Sequence, residues 1–315
     1  MLQSNFWKKL KRPIMTIAPM SDITGAAFRR MLLKFGRPDV FWTEFVSVDG
    51  LFSRGRENVL KDLKFSPKEH PIVAQVFGAK PDLFEKTAML IKSLGFDGID
   101  INMGCPNRDV EKRGAGAALI KNPDLAQQII RATKRGAGNL PVSVKTRIGY
   151  AKNEITEWIP ALLKENLAVL TVHFRTRNES YNTPAQWELA QRIVKFRDHY
   201  SPETLIFGNG DIKSLAQARQ MAKRTELDGI MIGRGVLLNP WFFSERTPDL
   251  KERIRVIIEH AKISEKLHKD FHGMNKYFKA YAAGFNGARD LRDCLMKTKN
   301  VSEVKQITKK FLESR

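Results

Sequence analysis

The chain has 315 residues, 42% of them hydrophobic and 28% charged, which excludes a disordered or collagen-like polypeptide and leaves room for one large α/β domain with an appendix or two ordinary domains. Lysine and arginine number 54 against 34 aspartate and glutamate, a net charge of +20, so the expected partner is a polyanion: nucleic acid, an acidic membrane surface or clustered phosphates. Only two cysteines occur, Cys105 and Cys294, which excludes a disulfide framework, suits a reducing compartment and lacks zinc-ligand spacing, so no metal is expected.

No stretch reaches the roughly 18 unbroken apolar residues of a membrane span. The basic first dozen residues lead into no apolar run of signal-peptide length. The basic residues are scattered rather than gathered beside a membrane, so the reading is a cytoplasmic protein with no membrane partner.

In chain order, short Val- and Ile-rich runs bounded by Gly, Pro, Asn or Asp predict buried strands at residues 14–18, 40–45, 72–77, 98–102, 142–146, 169–173, 205–208 and 229–232. Helical stretches lie between them. Residues 81–94 place Leu83, Ala88, Ile91 and Leu94 near one face, Asn122-Pro123-Asp124 opens a helix, and 216–223 form another. Eight strands alternating with helices at a spacing of roughly 30 residues predict a (β/α)8 TIM barrel of about 250 residues. An open doubly wound sheet is the alternative. Its G-x-G-x-x-G fingerprint is absent after the first strand, where Pro19-Met20-Ser21-Asp22 stands.

Beyond Phe243 the strand pattern stops. Residues 250–269 and 301–312 read as helices, with Gly284 and Gly287 between them. The predicted division is an α/β barrel over residues 1–243 and a small all-helical domain over 244–315. The tail carries 17 basic and 10 acidic residues, an excess that turns it toward the polyanion; a merely solvated helical surface is the plainer alternative. Cys294, in this tail, is read as packing.

In such a barrel the active site lies at the C-terminal ends of the strands. Polar residues gather there. The first strand leads into Pro19, Met20 and Ser21, the second ends in Thr43-Glu44, and the third carries Gln75. The fourth ends in Asn102-Met103-Gly104-Cys105-Pro106-Asn107, the fifth in Lys145-Thr146-Arg147 and the sixth in His173-Phe174-Arg175-Thr176-Arg177. Gly208-Asn209-Gly210-Asp211 and Gly233-Arg234-Gly235 follow the last two. Loops in those last two places often bind phosphate through backbone N–H groups, and Arg234 adds charge-assisted donors. Tight turns are the alternative use of the glycines. Lys145 could stabilise negative charge on a reduced flavin ring or serve as a Schiff-base nucleophile. Cys105, fixed between Gly104 and Pro106, could be a small buried hydrophobe or, as a protonated thiol, an acid.

Taken together these motifs resemble the tRNA-dihydrouridine synthases. Met103-Gly104-Cys105-Pro106 followed by Gly114-Ala115-Gly116-Ala117-Ala118-Leu119 is the most specific match. Ile17-Ala18-Pro19-Met20, Gln75, Lys145-Thr146-Arg147, His173-x-Arg175-Thr176-Arg177 and Gly208-Asn209-Gly210-Asp211 agree in order and spacing. The similarity extends loosely into the tail at Tyr281, Gly284 and Phe285. The resemblance implies FMN at the barrel mouth, hydride from NADPH or NADH, reduction of the C5–C6 bond of particular uridines in tRNA, and a monomer. It implies that Pro19, Met20 and Ser21 line the flavin ring and that Gln75 and Lys145 bond its polar edge. His173, Asn209, Gly210, Asp211, Gly233 and Arg234 would hold the ribityl chain and phosphate, Asn102 and Arg147 would contact the uracil, and Cys105 would protonate C5. The chain departs from the family's usual residues at Phe174, at Thr183 and at Met274-Asn275-Lys276-Tyr277. Two other readings are an FMN barrel acting on a small dihydropyrimidine-like molecule, for which the charge has no use, and a non-catalytic RNA-binding barrel, for which Cys105 has none.

Overall fold

The β-branched runs form eight strands in the computed structural model, which describes residues 5–267 and 271–314. They are β1 (Ile14–Ile17), β2 (Phe41–Ser47), β3 (Ile72–Phe77), β4 (Gly98–Met103), β5 (Val142–Arg147), β6 (Val169–His173), β7 (Leu205–Asn209) and β8 (Gly229–Ile232). Every neighbouring pair is parallel, in the order β1-β8-β7-β6-β5-β4-β3-β2. A parallel bridge from Thr16 to Val40 joins the two free edges and closes the cylinder. The expected TIM barrel is thus the observed one. The strands are buried on both faces because helices cover the outside, which is why each reads as an unbroken apolar run.

Local sequence fixes the covering helices. The Asn122 side chain accepts from the Leu125 N–H and Pro123 takes the first position of Pro123–Ala137. Ser214 caps Leu215–Thr225 by accepting from the Gln217 N–H. Helix Pro81–Ser93 corrects one expectation: its buried face is Phe84, Thr87, Ala88 and Ile91, while Leu83 is half-buried and Leu94 is exposed. The inward stripe starts at Phe84 and follows the i, i+3, i+4, i+7 spacing, and the helix ends before Leu94. Gly136 lets the next helix lie against this one, because a Cβ there would stand 2.0 Å from the Glu85 carbonyl oxygen.

The barrel interior has two levels. At the bottom Ile14, Val40, Trp42, Val73, Phe207 and Met231 form an apolar layer. Trp7 plugs it from the N-terminal segment, its ring 5.7 Å from Trp42 and 5.6 Å from Phe207. Above that layer the interior turns polar. The strand register sets Gln75 beside Asp100, Asp100 beside Ser143, Asn102 beside Lys145, Arg147 beside His173, and His173 beside Asn209. Side chains alternate along a strand, so residues paired this way share one face.

After Phe243 come the helices Leu250–Leu267, Asn275–Tyr281, Ala288–Leu295 and Val301–Glu313. The last two residues of the expected 250–269 helix lie outside the described residues. This helical region continues the core of the barrel. Tyr277 stacks on Phe28 at 5.5 Å and packs against His260 at 4.2 Å, within one apolar cluster that runs from the strands into the tail. Cys294 is exposed, contrary to the packing role expected of it, because Leu291 and Leu295 take the buried face of its helix. Among the described residues no helix is long and apolar enough to cross a membrane.

Candidate active site

A cavity of about 1080 Å³ opens at the C-terminal ends of the strands. Of the site residues expected from sequence, all but Gln75 line it. Pro19, Met20 and Ser21 come from the loop after β1, Asn102 and Cys105 from the end of β4, and Lys145 and Arg147 from β5. His173, then Asn209, Gly210 and Asp211, then Gly233 and Arg234 complete the wall from β6 round to β8. A second cleft of about 890 Å³ lies at the opposite end of the barrel. Its three arginines are engaged: Arg12 pairs with Asp228, Arg219 with Glu245, and Arg37 donates to the carbonyls of Lys68 and His70.

Among the described residues two lysines line the cavity, Lys145 on β5 and Lys213 on the loop after β7, and Lys145 meets it from the strand. Lys145 makes no hydrogen bond or ion pair among the described residues. Burial, and next the charge of Arg147, lower its pKa from 10.5 to about 8, while Asp100 and Cys105 pull it back up. An unpaired cation held at the bottom of a cavity fits an anion or an electron-rich ring edge.

Cys105 is half-buried. Burial pushes its thiol above the usual value, partly opposed by a backbone hydrogen bond at Asn107 and by Lys145 and Arg147. A thiol raised in this way stays protonated at neutral pH and can give up a proton, which a thiolate cannot. Its backbone is held in place. The Asn102 Oδ1 accepts from the N–H groups of Gly104 and Cys105 at 3.1 and 3.0 Å. Gly116 closes the turn from below with φ of +63°, and a Cβ there would lie 2.7 Å from the Cys105 carbonyl oxygen. The Asn102 amide is therefore engaged within the protein, although it borders the cavity. Arg147 is likewise committed, donating to the carbonyls of Gly104 and Thr176 at 2.7 and 2.9 Å.

Gln75 stands behind the wall. It is fully buried, its Nε2 donating to Asp100 at 2.6 Å and its Oε1 accepting from Asn102 at 3.0 Å. Through Asn102 it reaches the Cys105 turn.

The other side of the cavity is built around Asp211. This carboxylate accepts from Arg175, from the Ala185 N–H at 3.0 Å and from Arg234 at 3.1 Å. It orients two guanidinium groups at the cavity wall. Arg175 also donates to the His173 Nε2 at 3.0 Å. Since guanidinium only donates, the proton of the neutral imidazole sits on Nδ1. Burial, with Lys145 and Arg147 next, holds the His173 pKa well below 6.5. Tyr181 lies over Arg234, with the guanidinium 4.3 Å from its ring centre.

A family sequence model described as Dihydrouridine synthase (Dus) matches residues 16–315. The chain belongs to the dihydrouridine synthase family. A "Probable tRNA-dihydrouridine synthase" of Staphylococcus aureus strain Mu50 is 40% identical, over 98% of this chain and 96% of the relative. A "Probable tRNA-dihydrouridine synthase 2" of Bacillus subtilis strain 168 is also 40% identical, over 98% and 97%. Among solved structures, a morphinone reductase in complex with tetrahydroNAD has a TM-score of 0.50 at 13% identity, over 77% of this chain and 86% of that one. A 2-naphthoyl-CoA reductase has a TM-score of 0.56 at 11% identity, over 74% and 49%. At that identity these two show the barrel fold and no more.

The departures from the dihydrouridine synthase pattern fall away from the cavity wall. Phe174 is fully buried against Trp187, 4.7 Å between rings, on the opposite side of the strand end from His173. Thr183 offers its backbone carbonyl to Arg175 at 2.6 Å, a contact any residue can make. Lys276 donates to the Asp22 carbonyl and Tyr277 to that of Ile23 at 2.6 Å, so the tail grips the loop that carries Pro19–Ser21. Two site residues were not singled out by sequence reasoning, Asp100 and Tyr181. Asp100 had a signal: two positions before Asn102 on one strand, it must share its inward face.

Proposed function

We propose that the cavity holds FMN and that the chain reduces the C5–C6 bond of uridines in tRNA, with NADPH or NADH as the source of electrons. What supports this most is one juxtaposition: an unpartnered, half-buried ammonium, Lys145, and a protonated thiol, Cys105, on one cavity ringed by glycine turns and Arg234. The residues fit the group. Gly210, Gly233 and Arg234 would hold its phosphate, His173 and Asn209 the chain between, and Lys145 the polar edge of the ring, with Pro19, Met20 and Ser21 of the β1 loop along the ring itself. When bound, the flavin supplies hydride to uracil C6.

The protein supplies the rest. Hydride at C6 places enolate charge on C5 and the C4 oxygen, because the double bond is conjugated to that carbonyl. Cys105 protonates C5, its Sγ–H bond breaking as the C5–H bond forms. Arg147 lies beside it and offers positive charge to the same region, which stabilises the developing anion. The target base must leave its stack to reach this depth, a cost of a few kcal/mol that phosphate contacts by the basic surface offset.

Removing the acid tests the assignment. Cys105→Ala should retain flavin and tRNA affinity and lose about a hundredfold or more in turnover. Full turnover in that variant would refute the proton-donor role.

A further inference from the structure

Behind the cavity a chain of four groups has a fixed direction. At one end is the Asp100 carboxylate, fully buried, which accepts from the Ser143 hydroxyl at 2.5 Å and from the Gln75 Nε2 at 2.6 Å. At the other end are the backbone N–H groups of Gly104 and Cys105, which can only donate. Between them lie two side-chain amides, Gln75 and Asn102. Each amide presents a donor on one side and an acceptor on the other. The two ends leave a single consistent arrangement. Asn102 must turn its oxygen to the Cys105 turn, so its Nδ2 faces Gln75. Gln75 must then turn its oxygen to Asn102, so its own Nε2 faces residue 100, where only an acceptor satisfies it.

From this we infer that Asp100 is a positioning residue for Cys105: as an acceptor-only group at the closed end of the relay, it locks the amides of Gln75 and Asn102 in the one orientation that caps the Cys105 turn. The inference rests on the reading of Cys105 as the acid only for its effect on turnover; its effect on the turn is independent of that reading. Turning Asn102 by half a turn sets donor against donor at Gly104 and Cys105, and turning Gln75 sets its amide N–H against that of Asn102 and its oxygen against the Asp100 carboxylate, in a site where an unmet buried donor is costly. Burial raises the Asp100 pKa to about 6, opposed by the bonds from Gln75 and Ser143 and by the Lys145 charge, so the carboxylate is ionised at neutral pH.

The test uses the purified full chain and two readouts, alkylation of Cys105 by iodoacetamide, resolved from Cys294 by peptide mass, and tRNA turnover. Asp100→Asn is a poor probe by itself, because the Ser143 hydroxyl can turn to accept from the new amide and the relay survives. Asp100→Ala removes the anchor. It should change the alkylation rate and lower turnover about tenfold while bound flavin is kept. Gln75→Glu sets two carboxylates face to face and, at a pH high enough to ionise both, should disturb Cys105 at least as much, so the variants are compared there. The double variant Gln75→Glu with Asp100→Asn moves the acceptor-only group one step along the chain. The new amide at position 100 donates to the new carboxylate at position 75, and that carboxylate accepts from Asn102. The double variant should restore wild-type alkylation of Cys105, a rescue that loss of core packing cannot produce. If a single variant fails to fold, a folded double variant with wild-type alkylation still supports the relay. A double variant no better than Gln75→Glu alone, or Asp100→Ala with unchanged alkylation, overturns it. Should Cys105→Ala keep full turnover, the acid assignment fails while the alkylation results still decide the relay.

Discussion

Lys145 shows how a single residue ties burial to chemistry. Its ammonium is charged below about pH 8 and neutral above it. If that charge steadies the electron-rich edge of a flavin, kcat/KM, which reports the free enzyme, should fall as pH rises through about 8. Stability should move the other way. Between about 8 and the ordinary 10.5 the unfolded chain binds more protons at this residue than the folded one, so the folded state gains relative stability as pH rises across that window. Lys145→Met should abolish both trends and lower turnover about tenfold or more at neutral pH. Equal slopes in wild type and variant would show that another group titrates. Cys105 loses its proton only at higher pH, since burial raises it.

At the scale of elements, the strand alternation and the tail helix each carry a share of the site. Much of the first was legible in sequence. Most of the polar residues at strand ends reached one rim, because a parallel barrel presents every strand's C-terminal end on one side; Thr43 and Glu44 do not line the cavity, since β2 runs on to Ser47. The partners within the wall were not legible. Gln75 and Asn102 read as ligand contacts, and their bonds to Asp100, to each other and to the Cys105 turn had no mark in the sequence, since they depend on the strand register. The same limit applied to the tail. Its charge suggested an RNA face, while Tyr277, whose ring is buried on Phe28, donates to the Ile23 carbonyl in the loop beside the cavity. Tyr277→Phe keeps the stacking and leaves that acceptor unmet. It should cost about 1–2 kcal/mol in urea unfolding and weaken flavin retention. Unchanged flavin affinity would show that the helix does not steady the loop.

For the whole molecule the governing quantity is charge. A net +20 on a folded chain means that tRNA binding should weaken steeply with salt, log affinity falling linearly with log salt concentration. A small-molecule reductase of the same fold would show no such dependence for its substrate. The shared core of barrel and tail makes a separate prediction about division: ending the chain at Phe243 would expose Phe28 and the surface under Tyr277, so the remaining barrel should unfold or aggregate rather than simply lose RNA affinity.

The most direct measurement is mass spectrometry of an unmodified tRNA transcript digested after incubation with the flavin-loaded protein and NADPH. The account predicts that one or more uridines gain the mass of two hydrogen atoms, and that Cys105→Ala nearly abolishes the gain. A flavin-loaded, tRNA-binding protein that leaves every uridine unchanged would contradict it.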